Sequence, residues 1–310
     1  MPPKKVNGSR RRTYIKKIFH APEQLSIIDY PEETLEYFNS ILDFAKQNQK
    51  QGVSTVLDLD FKNVKYLTID AIMYLVTIIK KLRSPMCRCA IGGNFPEDPK
   101  ANRLMLESGF IKFVESNVRI IKPRKEYIQI CEGDNVSVKI AKEVCDFTVN
   151  AAGYGKNAIY TVLVELMANA WNHAYDSKES VVRMDKWYIF VEETEGKVCY
   201  TFLDTGYGIP NTVYKKLTER AFDSFQSLQH TDLYYIKSAL SGESLRTQTK
   251  QENRGMGLPK INKLYLEGKI ENLKIISEKG YYGEELIQRE LKHGYKGTLV
   301  YWEISKKENV

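Results

Sequence analysis

Glu165, Asn169 and His173 stand four residues apart in the run VELMANAWNHAY, residues 164–175. In a helix that spacing stacks them along one face, with a drift of about 40° per step. Leu163, Leu166, Met167, Ala170 and Ala174 would then face a core, and the three polar residues would border a cavity. A carboxylate, an amide and an imidazole in register on an otherwise apolar helix need polar partners, and metal-bound phosphate is one such partner. An amphipathic helix whose polar residues meet water gives the same pattern. The run alone leaves both readings open.

Two glycine motifs follow it. Asp204-Thr205-Gly206-Tyr207-Gly208-Ile209-Pro210 ends a strand on a carboxylate and then turns on two glycines. Glycine lets the backbone turn tightly beside a flat ligand, and an aspartate there can accept a hydrogen bond from an exocyclic amino group such as that of adenine. Asn253-Arg254-Gly255-Met256-Gly257-Leu258 opens a helix that runs through Pro259, Ile261 and Leu264. Glycines before a helix N-terminus expose backbone N–H groups to phosphate, aided by the helix dipole. Taken singly, each motif also reads as an ordinary turn.

The elements that must position these residues follow from periodicity. Pro31 suits a first helical position, and Leu35, Phe38, Ile41, Leu42 and Ala45 recur at helical spacing up to Gln51-Gly52. Val53–Asp60 predicts a buried strand, Ile69–Leu82 a helix, Met86–Ile91 a short strand before a Gly92-Gly93-Asn94 loop, and Pro99–Glu107 another helix. Strand–helix alternation of this kind implies a parallel-leaning sheet. A domain boundary is expected within or just after residues 120–130. Beyond it, Asp134–Val149 predicts a helix and Asn150–Lys156 the turn into the central helix. Trp187–Glu193 and Val198–Asp204 predict a hairpin turning at Glu195-Gly196, with further strands at Leu273–Ser277 and Thr298–Ile304. Leu233, Tyr234, Ile236 and Leu240 mark a helix within the long segment between the glycine motifs, where Phe222 and Phe225 are candidate lid contacts.

The chain has 310 residues, 43% hydrophobic and 27% charged, with a net charge of +7. Residues 1–17 hold Lys4, Lys5, Arg10, Arg11, Arg12, Lys16 and Lys17 and no acid, so they carry the whole +7. The body is therefore not a basic nucleic-acid platform, and contact with nucleic acid is expected only through this tail. No apolar run approaches the ~18 residues that span a bilayer, so a cytoplasmic location is the expectation. The five cysteines form no CxxC pair and read as reduced thiols.

The three motifs in this order, closed by a Gly297-Thr298 strand, resemble the GHKL superfamily of ATP-binding domains. The run ELMANAWNHAY is most similar to that of the anti-sigma-factor serine kinases. The resemblance implies an α/β sandwich, a mostly antiparallel sheet covered by helices, over residues 126–310, with an ATP lid at about 209–254. It further implies that Asn169 ligates Mg²⁺, that Glu165 is the catalytic base, that His173 lies near the phosphates and that Asp204 reads adenine. Gly255 and Gly257 would line the triphosphate, with Asn172, Gly206, Gly208, Ile209, Arg254, Met256, Leu258 and Thr298 completing the nucleotide site. Asn253 departs from the pattern, since many relatives carry a further glycine there.

Residues 53–71 resemble a STAS domain, the fold of anti-sigma-factor antagonists. The phosphate-acceptor position of that family falls on Asp70, which would place a permanent charge at a helix N-terminus; Thr68 is the nearby hydroxyl. The organisation expected is thus a two-domain α/β protein: a basic disordered tail (1–17), a STAS-like mixed sheet with helices (18–125) and the ATP domain. It would be an ATP/Mg-dependent switch, expected to turn over ATP as an ATPase. The alternatives are a serine/threonine kinase acting on a separate partner and an ATP-binding interaction module without turnover. A protein partner is expected through the STAS-like domain or the lid, and a homodimer is compatible. The residues leave the pathway open between sigma-factor regulation, stress response and phage defence.

Overall fold

Proline at the first helical position and glycine just past the last residue bracket the first long element. Helix α1 spans Pro31–Lys50, Gln51 caps it, and Gly52 turns the chain at φ +70°. The computed structural model describes residues 14–84, 87, 89–115, 124–173, 186–218, 230–242 and 257–307. Ahead of α1 lie strand β1 (Tyr14–His20) and the short β2 (Gln24–Leu25). After it come β3 (Ser54–Asp60), β4 (Tyr66–Leu67), α2 (Ile69–Leu82), β5 (Cys89–Gly93), α3 (Pro99–Glu107) and α4 (Ile111–Val114). β1, β3 and β5 form a parallel sheet with β3 in the middle, and β2 pairs β4 in a two-residue ladder. Helix α2 is buried almost all round, the condition of a helix covered on both sides.

The second half contributes β6 (Tyr127–Gly133), α5 (Val138–Ala152), α6 (Lys156–His173), β7 (Trp187–Glu193), β8 (Lys197–Asp204), α7 (Ile209–Thr218), α8 (Asp232–Ser241), α9 (Gly257–Leu266), β9 (Glu271–Tyr282) and β10 (Arg289–Ser305). Its sheet has the order β6-β7-β8-β10-β9, every neighbouring pair antiparallel. Alternate residues point to opposite faces. Trp187, Ile189, Tyr200, Phe202, Val300 and Trp302 pack on the helices that follow β6, with the Tyr200 and Trp302 rings stacked at 5.0 Å. Tyr188, Phe190, Leu203, Leu299 and Tyr295 share a core with the N-terminal helices. Both faces of this sheet are covered, which is why its strands read as near-continuous apolar runs. The fold is α/β, the described residues being about 45% helix and 31% strand with parallel and antiparallel sheets, so neither element type dominates. Among the described residues no helix is long and apolar enough to cross a membrane.

Several boundaries differ from expectation. Tyr14–Lys17, assigned by charge to the tail, belong to β1 and pair with Ser54–Leu57. An edge strand tolerates lysines because one side meets water, and Lys16 reaches Asp58 at 3.4 Å. Gly92 and Gly93, expected in a loop, extend β5; a Cβ on Gly93 would lie 2.5 Å from the Leu59 carbonyl oxygen, so only glycine permits this approach. Helix α5 starts at Val138 rather than Asp134 because Ser137 caps it through the Ile140 N–H. β9 and β10 are far longer than the expected strands. All five cysteines are free thiols.

Candidate functional site

Helix α6 follows Gly155, whose φ is +93° and where a Cβ would meet Ile304 at 2.8 Å. Ile159, Val162, Leu163, Leu166 and Met167 then bury one face of the helix. Glu165 and Asn169 emerge at the border of that face, against the first residue of α9. A Cβ built on Gly257 would lie 2.9 Å from Glu165 Oε2 and 3.2 Å from both amide atoms of Asn169. With no side chain at residue 257, the helix N-terminus comes this close without displacing those side-chain ends. Lys260 Nζ, one turn on, donates to Glu165 Oε1 at 2.5 Å.

The Asp204 turn is built from backbone approaches that are equally tight. In register, Asp204 faces Thr298 across the β8–β10 ladder. Gly297 (φ +112°) sits so close that a Cβ there would be 2.0 Å from the Asp204 carbonyl oxygen. Asp204 Oδ1 accepts the Gly206 N–H at 2.9 Å. Gly208 turns at φ +80° over Ser277, whose buried hydroxyl donates to the Gly297 carbonyl at 2.7 Å and accepts the Ile209 N–H at 2.9 Å. Two strands and a helix start are thereby tied at one point.

These two assemblies face each other across an open cleft. The cleft brings together Asn169, Asp204, Gly206, Gly208 and Ile209 with Gly257, Leu258 and Thr298. Glu165 adjoins it behind Gly257. Leu166, Tyr207, Thr212, Val213 and Ala239 also line it and were missed as site residues. Leu166 read as core, and the helical spacing that marked α8 carried no hint that Ala239 lines the cleft. Apolar walls with a few converging polar groups are what orient a flat, partly polar ligand. The side chains of Asn172 and His173, and residues Arg254, Gly255 and Met256, lie outside the described residues, as do Phe222 and Phe225.

Among the described residues no cluster of three or more His, Cys, Asp or Glu could hold a metal unaided. The Asn169 amide oxygen is nevertheless a hard donor of the kind Mg²⁺ accepts, and most of that ion's shell comes from water and phosphate. The residues present fit the group on that basis.

Asp70 is placed differently from expectation. It starts α2 but is buried, with Oδ2 accepting the Ile27 N–H at 2.6 Å and the Ile28 N–H at 3.3 Å. Burial pushes its carboxyl up to about 6, opposed by the bond from Ile27. It is a packed structural acceptor rather than a displayed, permanent charge. Thr68 and Asp70 border a second cleft with Cys199, Thr201, Tyr301 and Glu303, on the sheet face that packs against the N-terminal layer. Comparison of the sequence with protein-family models and with curated proteins gives no match.

Proposed function

We propose that the chain is an ATP- and magnesium-dependent switch of the GHKL class, with residues 126–310 as its nucleotide domain and the preceding layer as a STAS-like regulatory domain. The observation that carries this reading is the packing of Gly257 on Glu165 and Asn169, beside the Asp204 turn, in one cleft. Residues from three separated motifs, each ordinary alone, meet where a nucleotide would need them.

In this reading Asp204 accepts a hydrogen bond from the adenine amino group, and the apolar walls at Leu166, Ile209 and Val213 receive the ring. The first amides of α9 are directed to the phosphates, where the helix dipole favours negative charge. Asn169 offers its amide oxygen to Mg²⁺. When bound, the metal spreads the charge of the terminal phosphates. Glu165 takes a proton from the attacking water as the new O–P bond forms, while the bond from the γ-phosphorus to the bridging oxygen breaks and ADP leaves. A general base so placed typically contributes ~10²–10⁴-fold.

A kinase acting on another molecule is the second reading, and the position of Thr68 supports it over self-phosphorylation. Thr68 lies on the sheet face opposite the helices that carry Glu165. Phosphotransfer, if it is the reaction, goes to a separate chain.

The test uses γ-labelled ATP with the parent, Glu165→Ala and Asn169→Ala. The parent should bind ATP·Mg and release phosphate. Glu165→Ala should bind about as well and lose nearly all turnover, and Asn169→Ala should lose magnesium-dependent binding and turnover together. Equal turnover in the parent and Glu165→Ala would remove the catalytic assignment. Absence of any ATP-induced thermal shift in the parent would remove the nucleotide reading.

A further inference from the structure

Glu165 is held from two sides. Its Oε1 accepts from Lys260 Nζ at 2.5 Å, and its Oε2 lies over the bare backbone of Gly257. Lys260 stands three residues after Gly257 in α9, so both share the helix face turned toward α6. The two partners are unequally exposed: 52% of the lysine side chain meets solvent, against 20% of the glutamate. A half-exposed ion pair contributes little to folding, and a lysine loses much rotamer freedom when fixed. Fold stability alone therefore gives a poor account of the contact, which falls on the carboxylate at the cleft wall.

We propose that Lys260 is a positioning residue for Glu165. Its ammonium occupies Oε1 and fixes the rotation of the carboxylate, leaving Oε2, on the Gly257 and Asn169 side, to take the proton from the attacking water. This rests on the hydrolytic reading above. Without Lys260 the carboxylate rotates about a terminal torsion that is broad by nature, and the productive orientation is populated less of the time. Misplacement of a reacting group by about 1 Å can lower a rate by roughly 10²-fold.

The test compares parent, Lys260→Ala, Lys260→Arg, Glu165→Ala and the Lys260→Ala/Glu165→Ala double variant. Affinities for ATP·Mg and ADP·Mg are measured by calorimetry, and turnover by phosphate release. Lys260→Ala should bind both nucleotides within about twofold of the parent and turn over roughly 10- to 100-fold more slowly. Lys260→Arg, whose guanidinium can donate to the same oxygen, should recover most of that loss. In the Glu165→Ala background, Lys260→Ala should change turnover no further, because a residue acting only through Glu165 has nothing left to act on. Parent-like turnover in Lys260→Ala overturns the assignment. So does selective loss of ATP over ADP affinity, which would make Lys260 a phosphate contact instead. An additional loss in the Glu165→Ala background also overturns it. A parent that does not hydrolyse ATP overturns the hydrolytic reading and this assignment together, whereas an active parent with an unaffected Lys260→Ala overturns the assignment alone.

Discussion

Replacing Gly257 with alanine should separate folding from function in this chain. The added methyl would lie 2.9 Å from Glu165 Oε2 and 3.2 Å from the Asn169 amide atoms. Ordinary contacts are ~3.5–4.0 Å, so the Glu165 carboxylate must yield by about half an ångström or more and the Asn169 amide by at least a few tenths. All of the atoms that must yield are ends of flexible side chains rather than backbone. The fold can therefore accept the change cheaply, and alanine is the better helix former, by up to about 1 kcal/mol in a helix interior. The melting temperature without nucleotide should stay level or rise. The same displacement moves the proposed base and metal ligand off position, so turnover should fall at least about tenfold, with magnesium-dependent ATP affinity weakened as well. Thermal melts with and without ATP·Mg, together with phosphate release, read both quantities on one preparation. An alanine variant that binds and turns over like the parent would refute the claim that this glycine is present for the cleft. A variant that fails to fold would refute the claim that only side-chain ends must move.

Three further outcomes follow from the same geometry. Asp204→Ala should weaken ATP binding by about 1.5–3 kcal/mol, the contribution of a hydrogen bond to a charged group; unchanged affinity in calorimetry would sink the adenine assignment. Burial raises Asp70 from 3.8 to about 6, so between roughly pH 4 and pH 6 the folded chain holds a proton the unfolded chain has lost, and stability falls as pH rises. Asp70→Asn keeps an oxygen for the Ile27 N–H without a charge to bury, so its stability relative to the parent should improve by about 3 kcal/mol from pH 4 to pH 7; parallel pH profiles in urea denaturation would contradict that. Asp70→Ala strands the Ile27 and Ile28 N–H groups and should lose about 1–3 kcal/mol at about pH 4, where the parent carboxyl is still protonated, the deficit shrinking as pH rises through the range in which the parent must bury a charge.

What was legible in the sequence was local. Helix α2 was readable to its ends because its apolar run is unbroken and basic residues close its last turn. The Asp204 turn was readable because glycine chemistry acts within a few residues. Ser277 was not, since its role as the tie between Gly297 and Ile209 depends on two strands meeting a helix. The lengths of β9 and β10 were hidden by the irregular register from Glu290 to Thr298, which breaks the alternation that marks a strand. Asp70 looked like a solvated helix start, and nothing near it in sequence announces that Ile27 and Ile28 will cover it.

The same arrangement constrains how the N-terminal layer can influence the cleft. Thr298 faces Asp204 in the ladder and Tyr301 faces Thr201, so the Thr68 and Asp70 cleft, which Thr201 and Tyr301 line, begins some three residues, about 10 Å, along the strands from the Asp204 turn. The sheet itself stands between Thr68 and the helices carrying Glu165, so direct chemistry within one chain is blocked. Mechanical contact is not. The Tyr74 ring of α2 lies 4.5 Å from that of Tyr295, and the Lys296 N–H donates to the Tyr74 hydroxyl at 3.4 Å. The next residue is Gly297, pressed on the Asp204 carbonyl and bonded to the Ser277 hydroxyl that holds Ile209. A shift of α2 against this segment of β10 would be passed to the turn that carries Asp204 through these contacts. The route predicts its own weak point: Tyr74→Phe removes only the hydroxyl that Lys296 uses and leaves the ring stack intact. If α2 acts on the cleft through that bond, Tyr74→Phe should change ATP affinity while leaving the melting temperature nearly untouched. Identical ATP titrations for this variant and the parent would mean that the two layers share a core but not a signal through this hydroxyl.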